Sequence, residues 1–258
     1  AIMIKEIYAY REMIFSMVQK DLRGRYKGSF LGFLWTFINP LLQLLVYNLV
    51  FSIILRSGVD KYYLFLFVAL IPWIFFSSAI TGGSVSVIAQ KDLVKKIYFP
   101  NEVIPISYVT SCFVNMLLGF VVVIGVVIYS GVYISPLALL CLPVVMIVEY
   151  FLALGIAMIT SAVTVYFRDL EHILTIIAMA WMYITPVVYD IEICPTEYRW
   201  IMHINPMTSV IIAFVDILYC GRVPEMMTLL EAVVLGVVFL LIGCLVFRKL
   251  KRRFAEEL

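Results

Sequence analysis

The stretch NPMTSVIIAFVDILYCG, residues 205–221, decides how this chain is threaded. Asn205-Pro206 reads as a helix start with proline at the first helical position, and Cys220-Gly221 as its stop. A helix over 206–220 rises about 22 Å, short of a hydrocarbon core about 30 Å thick, and Asp216 lies within it. If this helix crossed a membrane the chain would have seven spans and its two basic ends would lie on opposite sides. If it turned back, six spans would remain and both ends would share a side.

The rest of the chain makes membrane spans the only economical reading. Of 258 residues, 64% are hydrophobic and 14% charged, with a mean hydropathy of +1.06, far from soluble composition. The long unbroken apolar runs argue against a barrel of short alternating strands and for an all-α integral membrane protein. Apolar runs place spans at about 31–55, 62–88, 103–129, 137–167, 170–189 and 226–247. With six spans, fifteen of the nineteen Lys and Arg fall on the side of the two termini, as the positive-inside tendency requires. Arg56, Lys61, Arg199 and Arg222 remain on the other. Both termini are therefore expected in the cytoplasm. The interrupted outer segment, about 184–220, is expected to be a re-entrant helical hairpin, since irregular backbone at membrane depth survives only when buried in protein or facing water. A helix lying on the outer leaflet is the alternative.

Residues 1–28 form a separate unit, and 29–258 the transmembrane domain. Charges scattered through the first 27 residues exclude a signal peptide. Ile4, Ile7, Tyr8, Ile14, Phe15, Val18 and Leu22 recur at helical spacing, with Lys5, Glu12, Lys20 and Arg23 off that face, which predicts an amphipathic helix on the bilayer surface.

The chemistry offered is sparse. Gly24 with Gly28, and Gly82-Gly83, lack the Gly-Lys-Ser/Thr ending of a phosphate-binding loop, so no ATPase site is expected. His172 and His203 fall on opposite sides of the membrane. The five cysteines have no metal-ligand spacing; only Cys194 and Cys220 share a side and could bridge. Glu149, near the middle of the fourth span, would have to face protein or water. It reads either as a proton- or substrate-contacting group or as a carboxyl satisfied by polar neighbours such as Tyr or Asn on adjacent helices. Ala153, Ala157 and Ser161 form a small-residue seam for a closely packed helix. Trp35, Tyr47, Trp73, Tyr108, Trp181 and Tyr183 lie within or at the ends of spans. Most such rings belong to the interfacial belt or the core; any that faced a pathway would stack on sugar faces.

Several strings in order carry a family likeness: Leu31-Gly32-Phe33-Leu34-Trp35 with Asn39-Pro40-Leu41, Tyr98-Phe99-Pro100-Asn101-Glu102, Tyr166-Phe167-Arg168-Asp169-Leu170, and Asn205-Pro206. Together, over roughly residues 5–250, they resemble the type-2 ABC exporter permeases, and within them the membrane subunits of O-antigen polysaccharide exporters. The resemblance implies a homodimer in the bacterial inner membrane, bound to a cytosolic ABC ATPase subunit and exporting a lipid-linked polysaccharide through a channel at the dimer interface. ATP and Mg would be bound by that partner, with no cofactor in this chain and no role for nucleic acid. It also implies that the N-terminal helix and the loop after the second span dock on the ATPase. That loop holds Lys91, Asp92, Lys95, Lys96 and Tyr98, and Arg168-Asp169 occupies the second cytoplasmic turn. Arg23, Arg25 and Lys27 are candidates to meet the anionic lipid head. An exporter of another glycan, lipid or small molecule, and a polyprenyl-phosphate-processing enzyme, remain as alternatives.

Overall fold

The computed structural model describes residues 2–28, 30–50, 60–191, 195, 197 and 199–257, and every regular element among them is helical. Two helices, α1 (Ile2–Ala9) and α2 (Arg11–Tyr26), open the chain; a 3-10 turn at Gly32–Leu34 leads into α3 (Trp35–Asn48). Then follow α4 (Tyr62–Ala89), the short α5 (Lys91–Lys96), α6 (Val103–Ser130), α7 (Pro136–Tyr166), α8 (Leu170–Ile184), α9 (Arg199–Ile204), α10 (Pro206–Leu218), α11 (Met226–Leu250) and α12 (Phe254–Glu257).

Among the described residues four helices are long and apolar enough to cross a membrane: α4, α6, α7, and α11 with its continuation to Arg253. They fall within a few residues of four expected spans. The first expected span, 31–55, corresponds to the 14-residue α3; residues 51–55 lie outside the described residues. The fifth, 170–189, ends as a helix at Ile184 because Thr185 precedes Pro186 and is driven to an extended ψ of 138°.

α4 is the post around which the bundle is built. Nineteen of its 28 residues are buried, and α3, α6, α7, α8 and α10 all pack against it. Its sequence is apolar on every side, as a helix without a solvent or lipid face must be. The seam expected on α7 is used here: a Cβ added at Gly83 of α4 would lie 3.0 Å from the Ala157 Cβ.

A closer approach joins α7 to α11. A Cβ at Gly243 would fall 2.3 Å from the Gly155 carbonyl oxygen, and one at Gly155 would fall 2.4 Å from the Phe239 carbonyl. Both obstacles are backbone, so only glycine fits.

Side-chain bonds between elements sort the loops into two ends. At one end Lys61 Nζ donates to the Ser130 carbonyl at 2.8 Å, Tyr62 Oη to the Val188 carbonyl at 2.7 Å, and Tyr219 Oη to the Asp60 carbonyl. Gly221, at φ +69°, passes so close to the Tyr133 carbonyl that any Cβ would overlap it. At the other end Tyr166 Oη donates to the Leu250 carbonyl at 2.7 Å, Lys251 pairs with the buried Glu102, and Phe254 packs against Phe247 and Tyr166. Glu6 and Tyr10, from the N-terminal helices and the turn between them, line one cavity with Tyr98, Phe99, Lys251 and Arg252. The two chain ends and the turn after α5 thus gather at one end of the bundle.

α10 lies inside the bundle, with eleven of its 13 residues buried. It starts at Asn205, bonded to Trp181, whose ring meets Phe76 in the middle of α4 at 5.3 Å. It finishes beside Asp60, at the far end of α4. The helix therefore climbs only part of the bundle's height.

Candidate functional site

The end that carries both termini presents the basic groups. α4 passes into α5 through a single residue: Gln90 caps the C-terminus of one and the N-terminus of the other. The Gln90 N–H donates to the Val87 carbonyl at 3.1 Å, and its own carbonyl accepts from Leu93 at 2.9 Å. Leu93 and Val94 turn toward the bundle, while Lys91, Asp92, Lys95 and Lys96 are exposed. Asp92 sits in the first turn and Lys95 and Lys96 in the last, the arrangement a helix dipole favours. Beyond it Ile97 and Tyr98 stand clear, with Tyr98 97% exposed and its neighbour Phe99 buried. Arg168 and Asp169 are exposed in the turn between α7 and α8, at the same end. The residues expected from the sequence to dock on a partner are thus exposed at the same end of the bundle, and Ile97, not singled out in the sequence, is exposed with them.

α2 lies against α6 and is bound to it by a charged cluster. Arg25 pairs with Asp21 at 2.9 Å, one turn earlier on the same face, and its guanidinium contacts the Cys112 thiol at 3.3 Å and lies 5.6 Å from the Tyr108 ring. Asp21 also accepts from Ser111. Burial works against the Arg25 charge, but the sulfur of Cys112 and the carboxylate of Asp21 more than offset it, so its pKa lies above the ordinary arginine value. Of the three candidate lipid-head residues, Arg25 is therefore committed to this cluster, whereas Arg23 and Lys27 are exposed.

The six candidate aromatics do not form one row. Trp73 is buried against Phe76, and Phe76 in turn against Trp181. Trp181 Nε1 donates to Asn205 Oδ1 at 2.8 Å. Tyr47 Oη reaches the Met182 sulfur at 3.9 Å, Tyr183 is exposed, Trp35 is half-buried and Tyr108 lies under Arg25. Four of the six, Trp35, Tyr47, Trp181 and Tyr183, belong to the short helices α3 and α8. Phe76, the ring that links two of the others, had no signal in the sequence apart from its apolar setting.

Asn205 holds the start of α10 against α8 and the residue that follows it. Its Oδ1 accepts from the Met207 N–H at 3.0 Å as an N-cap, and its Nδ2 donates to Thr185 Oγ1 at 2.8 Å. Glu149 is wholly buried and neither carboxylate oxygen has a partner among the described residues. No Tyr or Asn of a neighbouring helix bonds it among the described residues, and the Tyr150 hydroxyl on its own helix is bonded to Thr110 at 2.9 Å. Cys220 is a free, exposed thiol; Cys194, its candidate partner, lies outside the described residues.

Comparison with known proteins gives a consistent likeness. Residues 12–219 match the family model described as ABC-2 type transporter. The O-antigen export system permease protein RfbA of Myxococcus xanthus is 34% identical over 258 residues, covering 99% of each chain. Two Klebsiella pneumoniae proteins of the same name are 33% and 32% identical over 248 residues, 96% of this chain and 95% of theirs.

Proposed function

The chain belongs to the ABC-2 type transporter family, and we propose from that premise that it is the membrane subunit of an ATP-driven exporter of a lipid-linked, O-antigen-type polysaccharide. The observation that carries this is the near full-length identity with three O-antigen export permeases, in a multi-pass apolar chain that offers no phosphate-binding loop of its own. ATP and Mg belong on this reading to a cytosolic ATPase subunit, docked on the exposed surface of Lys91, Asp92, Lys95, Lys96 and Tyr98, with Arg168-Asp169 beside it. Gln90 leaves no slack between α5 and α4, so displacement of α5 by the ATPase is passed directly to the central post.

Six spans with both ends in the cytoplasm of a bacterial inner membrane fit the gathering of basic residues and both termini at one end. α3 and α8 then count as the first and fifth spans. α9 and α10 form the re-entrant outer segment, a reading supported by the start of α10 beside the middle of α4 and the Asn205 bonds that hold it there. Two copies meet through α3 and α8, where four candidate aromatics lie and where Leu42, Leu45, Ile176 and Tyr183 are exposed. The channel runs between them, its rings supplying flat faces along which a glycan slides. Arg23 and Lys27 meet the lipid diphosphate near the inner surface.

The test is coexpression with the ATPase subunit of the same exporter. Lys95→Glu with Lys96→Glu is expected to break co-purification and to abolish substrate-stimulated ATP hydrolysis and surface polysaccharide. Unchanged assembly and export in that variant would remove the α5 surface from coupling. Normal surface polysaccharide in a strain lacking the chain altogether would overturn the functional reading.

A further inference from the structure

A cavity of about 620 Å³ opens between α2 and the neighbouring ends of α4 and α6, beside the contact that joins α2 to α6. It is distinct from the α3 and α8 face to which the channel is assigned. α4 contributes its last two turns, from Gly82 to Gln90, and α6 its first, from Ile104 to Tyr108. The cavity therefore lies at the level of the surface helix, where the polar heads and the first methylenes of a leaflet would be.

Its lining is amphipathic. Met13, Met17, Val85, Leu93 and Ile104 make apolar walls. Lys20, Asp21 and Arg25 are the charged groups. Asp21 and Arg25 are spent on one another, on Ser111 and on Cys112. Among the described residues Lys20 makes no ion pair or hydrogen bond, and the Ser16 hydroxyl and Gln90 amide on the same lining are likewise unspent. The net charge of the lining is one positive unit, carried by an ammonium with nothing to neutralise it.

We propose that this cavity binds one anionic phospholipid of the surrounding leaflet, its phosphodiester held by Lys20 with Ser16 and Gln90, and its upper acyl chains against Met13, Val85 and Leu93. Charge decides between a bilayer phospholipid and a lipid diphosphate. A phosphodiester carries a single negative charge and matches the single free cation; a diphosphate would leave excess negative charge among apolar walls. Volume points the same way, since the space suits a small head group and not a glycan. The bound lipid fills the gap between the surface helix and the two spans beside it, and so fixes how α2 sits on the bundle.

The test uses the full chain, purified with its ATPase partner in mild detergent and then examined by native mass spectrometry after exposure to phosphatidylglycerol or phosphatidylcholine. The expected result is one retained phosphatidylglycerol per chain. Lys20→Gln should weaken retention about fivefold, the weight of one basic residue at an anionic surface, and Lys20→Glu should weaken it further. Ala89→Phe, which projects a ring into the cavity from the exposed rim of α4, should exclude the lipid while leaving the gel-filtration profile of the complex unchanged. Equal retention by all four proteins, or equal retention of the two lipids, would overturn the proposal. Recovery of a polyprenyl diphosphate in place of phospholipid would also overturn it, and would assign the cavity to the exported substrate. Because the readout is bound lipid, it stands whether or not the chain exports a polysaccharide.

Discussion

Replacing Asn205 with alanine should loosen the start of α10, by an amount the bonds themselves set. The variant loses the N-cap to Met207, worth about 1 kcal/mol. It also leaves the Trp181 indole N–H without its acceptor, at a further cost of about 1–3 kcal/mol when such a donor is buried. Trp181 is only half-buried, so the lower part of that range applies. Thr185 loses little, because its hydroxyl still donates to the Trp181 carbonyl at 2.9 Å. The sum is about 2–3 kcal/mol. Trp181→Phe is the informative companion: it removes the donor but keeps a ring against Phe76. A double-mutant cycle, read by detergent-denaturant titration of helical circular dichroism, should give a coupling energy of about 1 kcal/mol between the two sites. Additive effects, within about 0.3–0.5 kcal/mol, would refute the reasoning, since the indole bond would then contribute nothing to holding the start of α10. Asn205→Ser should lie between wild type and alanine, keeping a capping oxygen without the reach to Trp181.

Three further outcomes are expected. Glu149→Leu should raise stability by about 1–3 kcal/mol in the same titration, because it removes two buried oxygens that lack partners; loss of export in a better-folded variant would show that another conformation uses the carboxyl. Gly243→Ala should cost about 1–3 kcal/mol or fail to accumulate in the membrane, because the obstructing atom is the Gly155 backbone and cannot swing aside. A membrane-impermeant maleimide applied to intact spheroplasts should label Cys220, which is exposed, and labelling only after lysis would reverse the proposed orientation.

Four long helices and the limits of α10 could be read from the sequence because their signals are local. An unbroken apolar run, a proline at a first turn and a Cys-Gly stop all act within one helix. The site details were less legible because their causes are tertiary. Asn205 announces a cap, but not that its Oδ1 also serves an indole 24 positions away. The seam on α7 was visible as Ala153, Ala157 and Ser161, yet the tightest crossing uses Gly155 with Gly243, a pairing that depends on α11 running beside α7. Arg25 looked like a free cation among its neighbours; only the fold brings Cys112 and Tyr108 to it and separates it in role from Arg23 and Lys27. Glu149 shows the opposite failure: the Tyr or Asn expected from adjacent helices does not reach its carboxylate among the described residues.

The burial of α4 through its middle turns has a consequence for how transporters of this kind could diversify. From Leu64 to Phe76 nearly every residue is enclosed by other helices, so changes there act on folding first. If the channel runs along α3 and α8 as proposed, adaptation to a different cargo falls on their free faces while the post stays constant. Two such proteins with different sugars should exchange their α4 helices more readily than their α8 helices.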